Sequence, residues 1–191
     1  DQAQPGGPNH AFGQSGVIEF DDAPFVPKKP WQYAIYKPMK KTGLASWESS
    51  HTRFLNGDHP QTIAMSPANG RPIQVATVVG HILEGMVQGR AVPLKLLADA
   101  FPPPNREVWE KLQKIEIETG IDVAKDPSSS GKNGEKFTKT EFLSPIMGEH
   151  FSKIPYNERS DQDKQKFGLW CQHLDWYMAL RRVGYHPHFI D

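Results

Sequence analysis

Proline placement constrains this chain more than any other feature of it. Pro5, Pro8, Pro24, Pro27, Pro30, Pro38, Pro60 and Pro67 punctuate the first seventy residues. Each removes a backbone donor and clashes with the turn before it, so long helices and central strands are excluded there. The segment 1–70 is therefore expected to be an extended, Pro-rich arm with brief regular structure. Within it Trp31, Tyr33 and Ile35 alternate with Gln32, Ala34 and Tyr36 at the strand period, and Thr62-Ile63-Ala64-Met65 reads as a second short extended piece. Ser66-Pro67-Ala68-Asn69-Gly70 has turn chemistry. At most a small two-stranded β-ribbon is expected, and the arm should contribute little to the stability of the fold.

From Gln74 the apolar period becomes helical. Val75, Val78, Val79, Ile82, Leu83, Met86 and Val87 form one stripe over 75–88, and Gly89 stops it. Leu94, Leu97, Ala98 and Phe101 predict a short helix after Pro93, ended by Pro102-Pro103-Pro104. Asn105 can cap a third helix whose stripe is Val108, Trp109, Leu112, Ile115 and Thr119. Glu107 with Lys111 and Glu110 with Lys114 stand at i, i+4 on its outer face, and Gly120 is its stop. These three helices make a core over 71–125.

The run 126–137, rich in serine, glycine and asparagine, is expected to be a flexible polar loop. Beyond it lies a C-terminal helical segment, 138–191. Thr138 and Glu141 have capping-box spacing, Ser144-Pro145 can open another turn, and Ser160 with Asp163 opens the longest helix, 161–183. Its stripe of Phe167, Trp170, Cys171, Leu174, Tyr177 and Met178 is broadened by Leu169, Trp176, Leu180 and Val183, so the helix must be covered on more than one side. An extended tail follows Gly184. The fold class expected is mostly α: two small helical halves, a long irregular N-terminal arm and at most a short ribbon.

Charge and cysteine usage narrow the function classes. Lys and Arg number 22, as do Asp and Glu, so no global field steers the 191-residue chain toward nucleic acid or an anionic membrane. No apolar run approaches the roughly 18 residues of a membrane span. One cysteine, Cys171, allows no internal disulfide, and no Asn-x-Ser/Thr acceptor occurs, so an intracellular protein is expected. The chain opens on Asp1, as it would after removal of an organellar targeting peptide.

No residue pattern stands out as catalytic or cofactor-binding, and no small-molecule ligand is indicated. His150, Cys171, His173, His186 and His188 form the best metal group. However, Cys171 and His173 project about 200° apart on a helix, and His186 with His188 supplies only two ligands. Cys171 on an apolar stripe reads as a small hydrophobe, not a nucleophile. The run Ser130 to Lys136 lacks the first glycine and the Ser/Thr of a phosphate loop.

Two features point to partners. Lys28, Lys29, Trp31, Tyr33, Ile35, Tyr36, Lys40 and Lys41 interleave basic and aromatic side chains, which suits an acidic protein face or single-stranded nucleic acid. Helices over 75–119 have the count and spacing of a helix-turn-helix trihelix, yet 105–119 carries four glutamates against three basic residues, the wrong sign for phosphate. The expected function is a non-catalytic subunit of a larger assembly, docked on other proteins through the arm and through Trp176 on the long helix. A nucleic-acid-binding protein using 28–41 and the trihelix is the alternative.

Overall fold

In the computed structural model residues 16–67 and 70–191 are described. In chain order they form β1 (Val17–Glu19), α1 (Glu48–Leu55), α2 (Pro60–Met65), α3 (Val75–Val87), α4 (Leu94–Ala100), α5 (Arg106–Thr119), α6 (Lys139–Phe142), α7 (Ser144–Met147), α8 (Asp161–Arg182) and β2 (His188–Ile190). The protein is mostly α. Residues 1–15 of the expected arm, with Pro5 and Pro8, and Ala68 and Asn69 of the expected turn lie outside the described residues.

The organising element is α3. Val78, Val79, Ile82, Leu83, Met86 and Val87 are all buried, as is Gly85, so nearly its whole circumference is apolar or without a side chain. Such a helix must be enclosed. It is, by α1 and α2 on one side and α8 on the other. One buried cluster runs from Ile18 and Phe20 through Phe54 and Ile63 to Leu112, Phe142, Leu174 and Trp176, so the two helical halves share a core.

The C-terminal two-thirds follows its caps. Asn105 Oδ1 accepts from Val108 N at 2.9 Å, Thr138 Oγ1 from Glu141 N at 3.2 Å and Ser160 Oγ from Asp163 N at 3.0 Å. Each satisfies a donor that the first helical turn leaves open. Gly120 closes α5 in the left-handed region at φ 69°. The polar run 126–137 is drawn together at its ends, where Phe137 N donates to Pro127 O at 2.8 Å.

The N-terminal third departs from expectation. The chain between Pro38 and Pro60 is free of proline, and Glu48–Leu55 is helical, burying Ser50, His51 and Phe54. Thr62–Met65 is helix, not strand. Pro60 occupies the first turn of α2, where proline costs nothing, and His59 Nδ1 accepts from Gln61 N at 3.2 Å. Residues 31–37 form no strand either. Ala34 N turns back to Trp31 O at 2.9 Å and Trp31 N bonds Val87 O at 2.9 Å, so the backbone groups that a ladder would use are already engaged. The ribbon instead joins the two ends of the described chain. β1 and β2 run antiparallel with Ile18 opposite Phe189.

Candidate functional site

Residues 23–47 contain Lys28, Lys29, Lys37, Lys40 and Lys41 and not one acidic side chain. This concentration is the strongest departure from neutrality in the sequence. All five lysines are exposed. Two side-chain attachments, at Trp31 and Glu48, tie the segment to the helical body.

The first attachment is Trp31. Its Nε1 donates to Ala124 O at 2.8 Å, its ring meets the edge of Tyr33 with centroids 5.4 Å apart, and the guanidinium of Arg182 lies over it. Trp31 is half-buried and packs against the core, not on display as an anchor. Further upstream Phe25 and Val92 exchange backbone hydrogen bonds of 2.8 and 2.9 Å, which fixes the path of the chain into the lysine segment.

The second attachment is Glu48. One of its carboxylate oxygens accepts from Tyr36 Oη at 2.6 Å and from Ala45 N at 2.8 Å. These two donors hold the Glu48 carboxyl below the usual carboxylate range, the phenol contributing most. Between them the chain forms a tight hairpin. Pro38 bridges Ala45, Met39 N donates to Leu44 O at 2.9 Å, and Gly43 turns the tip at φ 70°. Lys40 and Lys41 crown the tip.

Around this hairpin the apolar exposure is high. Ile35 is 64% exposed and Val26 62%, while Tyr36, Met39 and Leu44 are close to half exposed. Apolar anchors ringed by lysines are suited to an acidic protein face with apolar pockets. Base stacking is poorly served. Trp31 is covered by Arg182 and meets Tyr33, and Tyr36 has its hydroxyl on Glu48 and its ring against Trp47, so all three rings are engaged within the chain.

Trp176 is a correction. It was expected on a docking face, but its exposure is 0% and it stacks on Phe20 with centroids 5.9 Å apart. The N-terminal segment folds back over α8 and takes the place assigned to a partner. The opposite side of α8 is held by Glu116 on α5, which accepts from Tyr177 Oη and, at 3.2 Å, from Arg181 Nε. Trp109 meets Tyr177 edge-on at 4.6 Å. Helix α5 is thus bound down on α8, and its outer glutamates are partly neutralised by Lys111 and Lys114. No basic recognition face results.

Catalytic groupings are weak. Ser50 Oγ and His81 Nδ1 lie 3.0 Å apart, a serine–histidine pair that sequence spacing could not reveal because 31 residues separate them. Burial lowers the pKa of His81, leaving a neutral ring near pH 7. His81 borders a cavity of about 350 Å3 between α3 and α8 with Glu84, Lys139, Asp175 and Arg182, but Ser50 is not in its wall. Without a reachable nucleophile or an orienting carboxylate, the pair is an interhelical tie. Burial pushes the Cys171 thiol up to about 11, against thiolate chemistry. Among the described residues no three or more His, Cys, Asp or Glu side chains gather as a metal site, and His188 pairs with Glu19 at 3.2 Å. No described helix is long and apolar enough to cross a membrane.

Comparison with protein-family models, curated proteins and solved structures finds no match.

Proposed function

We propose that this chain is a non-catalytic accessory subunit that docks onto an acidic face of a partner protein, using the lysine-rich segment 26–44 and the hairpin tip it carries. The observation that carries the reading is the coincidence of five exposed lysines, no carboxylate between 23 and 47, and the exposed Val26, Ile35, Tyr36, Met39 and Leu44 on one tethered segment. A monomer has no use for an apolar hairpin tip held rigid by Glu48, whereas an interface does. The helical body is the platform and the hairpin the contact. An intracellular assembly is the setting we infer, since the single, partly buried thiol needs no oxidising compartment.

The test begins with a photo-cross-linking side chain at position 35 in the full chain, with position 52 as control. The partner captured from 35 alone is then purified and titrated. Ile35→Ser with Met39→Ser should weaken that complex by about tenfold or more with an unchanged circular dichroism spectrum. A partner that binds the double variant as tightly as the parent, or a chain that forms no cross-link specific to position 35, would remove the reading.

A further inference from the structure

Behind the hairpin lies a second basic feature. A groove of about 550 Å3 runs between residues 25–32 and the C-terminal end of α8, with Phe25, Lys28, Lys29, Trp31, Arg181 and Arg182 among its walls and no carboxylate in them. A cleft lined by one sign of charge concentrates the opposite sign. Arg181 is already paired, 3.2 Å from Glu116. Arg182 is not. Its Nε donates to Val123 O at 3.0 Å, its guanidinium carbon stands 4.3 Å from the Trp31 ring centre, and among the described residues no carboxylate comes within ion-pair distance of it. Burial lowers its pKa, opposed by the charges of Glu84 and Asp175. Arg182 thus brings a half-buried guanidinium with no close ion pair to a groove whose walls also hold the exposed Lys28 and Lys29.

The chemistry of the walls says what kind of partner. The cations come from two separate segments, Lys28 and Lys29 from the N-terminal chain and Arg181 and Arg182 from the end of α8, which suits an extended ligand with spaced charges. Between them the groove is apolar, with Phe25, Val26, Pro30 and Val183 beside the edge of Trp31. We propose that the groove holds an extended acidic segment of the docked partner, its carboxylates on Lys28, Lys29 and Arg182 and an aliphatic side chain against Phe25 and Val26. The proposal rests on the docking reading above and adds a second, separable contact to it.

The experiment uses the full chain and a fluorescent peptide of alternating glutamate and leucine, with a peptide of alternating lysine and leucine, inorganic pyrophosphate and an oligothymidylate as comparison probes. Anisotropy should show saturable binding of the acidic peptide alone. Lys28→Ser with Lys29→Ser, both exposed, should weaken it about fivefold or more, while Lys40→Ser with Lys41→Ser should change it less than about twofold. Circular dichroism and melting should show both double variants folded. Equal losses from the two lysine pairs would overturn the groove and leave the hairpin reading standing. No saturable peptide binding would overturn the groove as well, with the hairpin still judged by the cross-link at position 35. Tight oligothymidylate binding that displaces the peptide would overturn both.

Discussion

The guanidinium carbon of Arg182 lies 4.3 Å from the centre of the Trp31 ring, joining a residue of the N-terminal third to the last turn of α8. The contact closes the chain on itself, because the Trp31 indole also donates to Ala124 O. A tryptophan that looked like an anchor for a partner is therefore a clamp within the fold. Trp31→Ala should lower stability by about 2–4 kcal/mol, the sum of a stacked cation, one hydrogen bond and lost burial. Urea unfolding measures it. A variant as stable as the parent would show that the clamp is ornamental.

Removing residues 1–30 should now damage the fold. Ile18 and Phe20 lie in the core, Phe25 packs against it, and Phe20 covers Trp176. Their loss should lower the melting temperature by about 10 °C or more for a chain of this size, read by thermal denaturation followed at 222 nm. A truncated chain melting within a degree or two of the parent would return the segment to the status of an arm.

Helices α1 and α3 approach through Gly85. A Cβ added there would stand 2.4 Å from His51 Cδ2, on a ring that is buried and bonded through Nε2 to Ala91 O at 3.0 Å. Gly85→Ala should therefore destabilise by about 1–3 kcal/mol despite the better helix propensity of alanine. In a His51→Ala background the same change should be neutral or favourable. A double-mutant cycle by chemical denaturation tests the coupling, and additive costs would contradict the geometry.

Stability should fall in mild acid. Burial lowers the pKa of His51 and His81, opposed in His51 by its bond to Ala91 and by Glu48. Both folded-state values lie below the unfolded one, so the unfolded chain takes up protons first as pH drops through about 6.5, and unfolding is favoured there. The loss reaches at most about 1.4 kcal/mol per pH unit for each ring. Urea midpoints at pH 8.0, 6.5 and 5.5 measure it, and His51→Gln with His81→Gln should flatten the trend. An unchanged slope in that variant would place the effect elsewhere.

Trp176→Ala and Ile35→Ser should behave as opposites. Trp176 is wholly buried against Phe20, so its truncation should cost about 3–5 kcal/mol or abolish folding. Ile35 is 64% exposed, and its change should stay within about 0.5 kcal/mol. Calorimetry of the two variants decides. Comparable losses would mean that the hairpin belongs to the core.

The helices from Val75 onward were legible because their signals are local. Caps at Asn105, Thr138 and Ser160, stops at Gly89, Gly120 and Gly184, and apolar spacing all act within one or two turns of chain. The candidate site was legible in part: Lys28, Lys29, Ile35, Tyr36, Lys40 and Lys41 are at the surface, Trp31 and Tyr33 are half-covered, and Trp176 is enclosed. What misled the reading of α2 was proline. Its penalty depends on position, and Pro60 sits where the penalty vanishes. Four apolar-rich residues, 62–65, are too few to distinguish a period of 2 from 3.6.

Sequence by itself determined the helices from Val75 onward, where they end, and that five lysines stand together without a counter-charge. Tertiary structure alone decided which apolar surface is covered. Trp176 and Ile35 both read as exposed anchors along the chain, yet Phe20, more than 150 positions away, helps to bury the one, while the described fold leaves the other 64% exposed. Burial is a property of what arrives from elsewhere, and a contact across such a separation leaves no periodic trace in either segment. For the same reason the Ser50–His81 pair, the close approach of Gly85 to His51, and the stacking of Arg182 on Trp31 exist only once distant parts of the chain are brought together by the burial of their apolar faces.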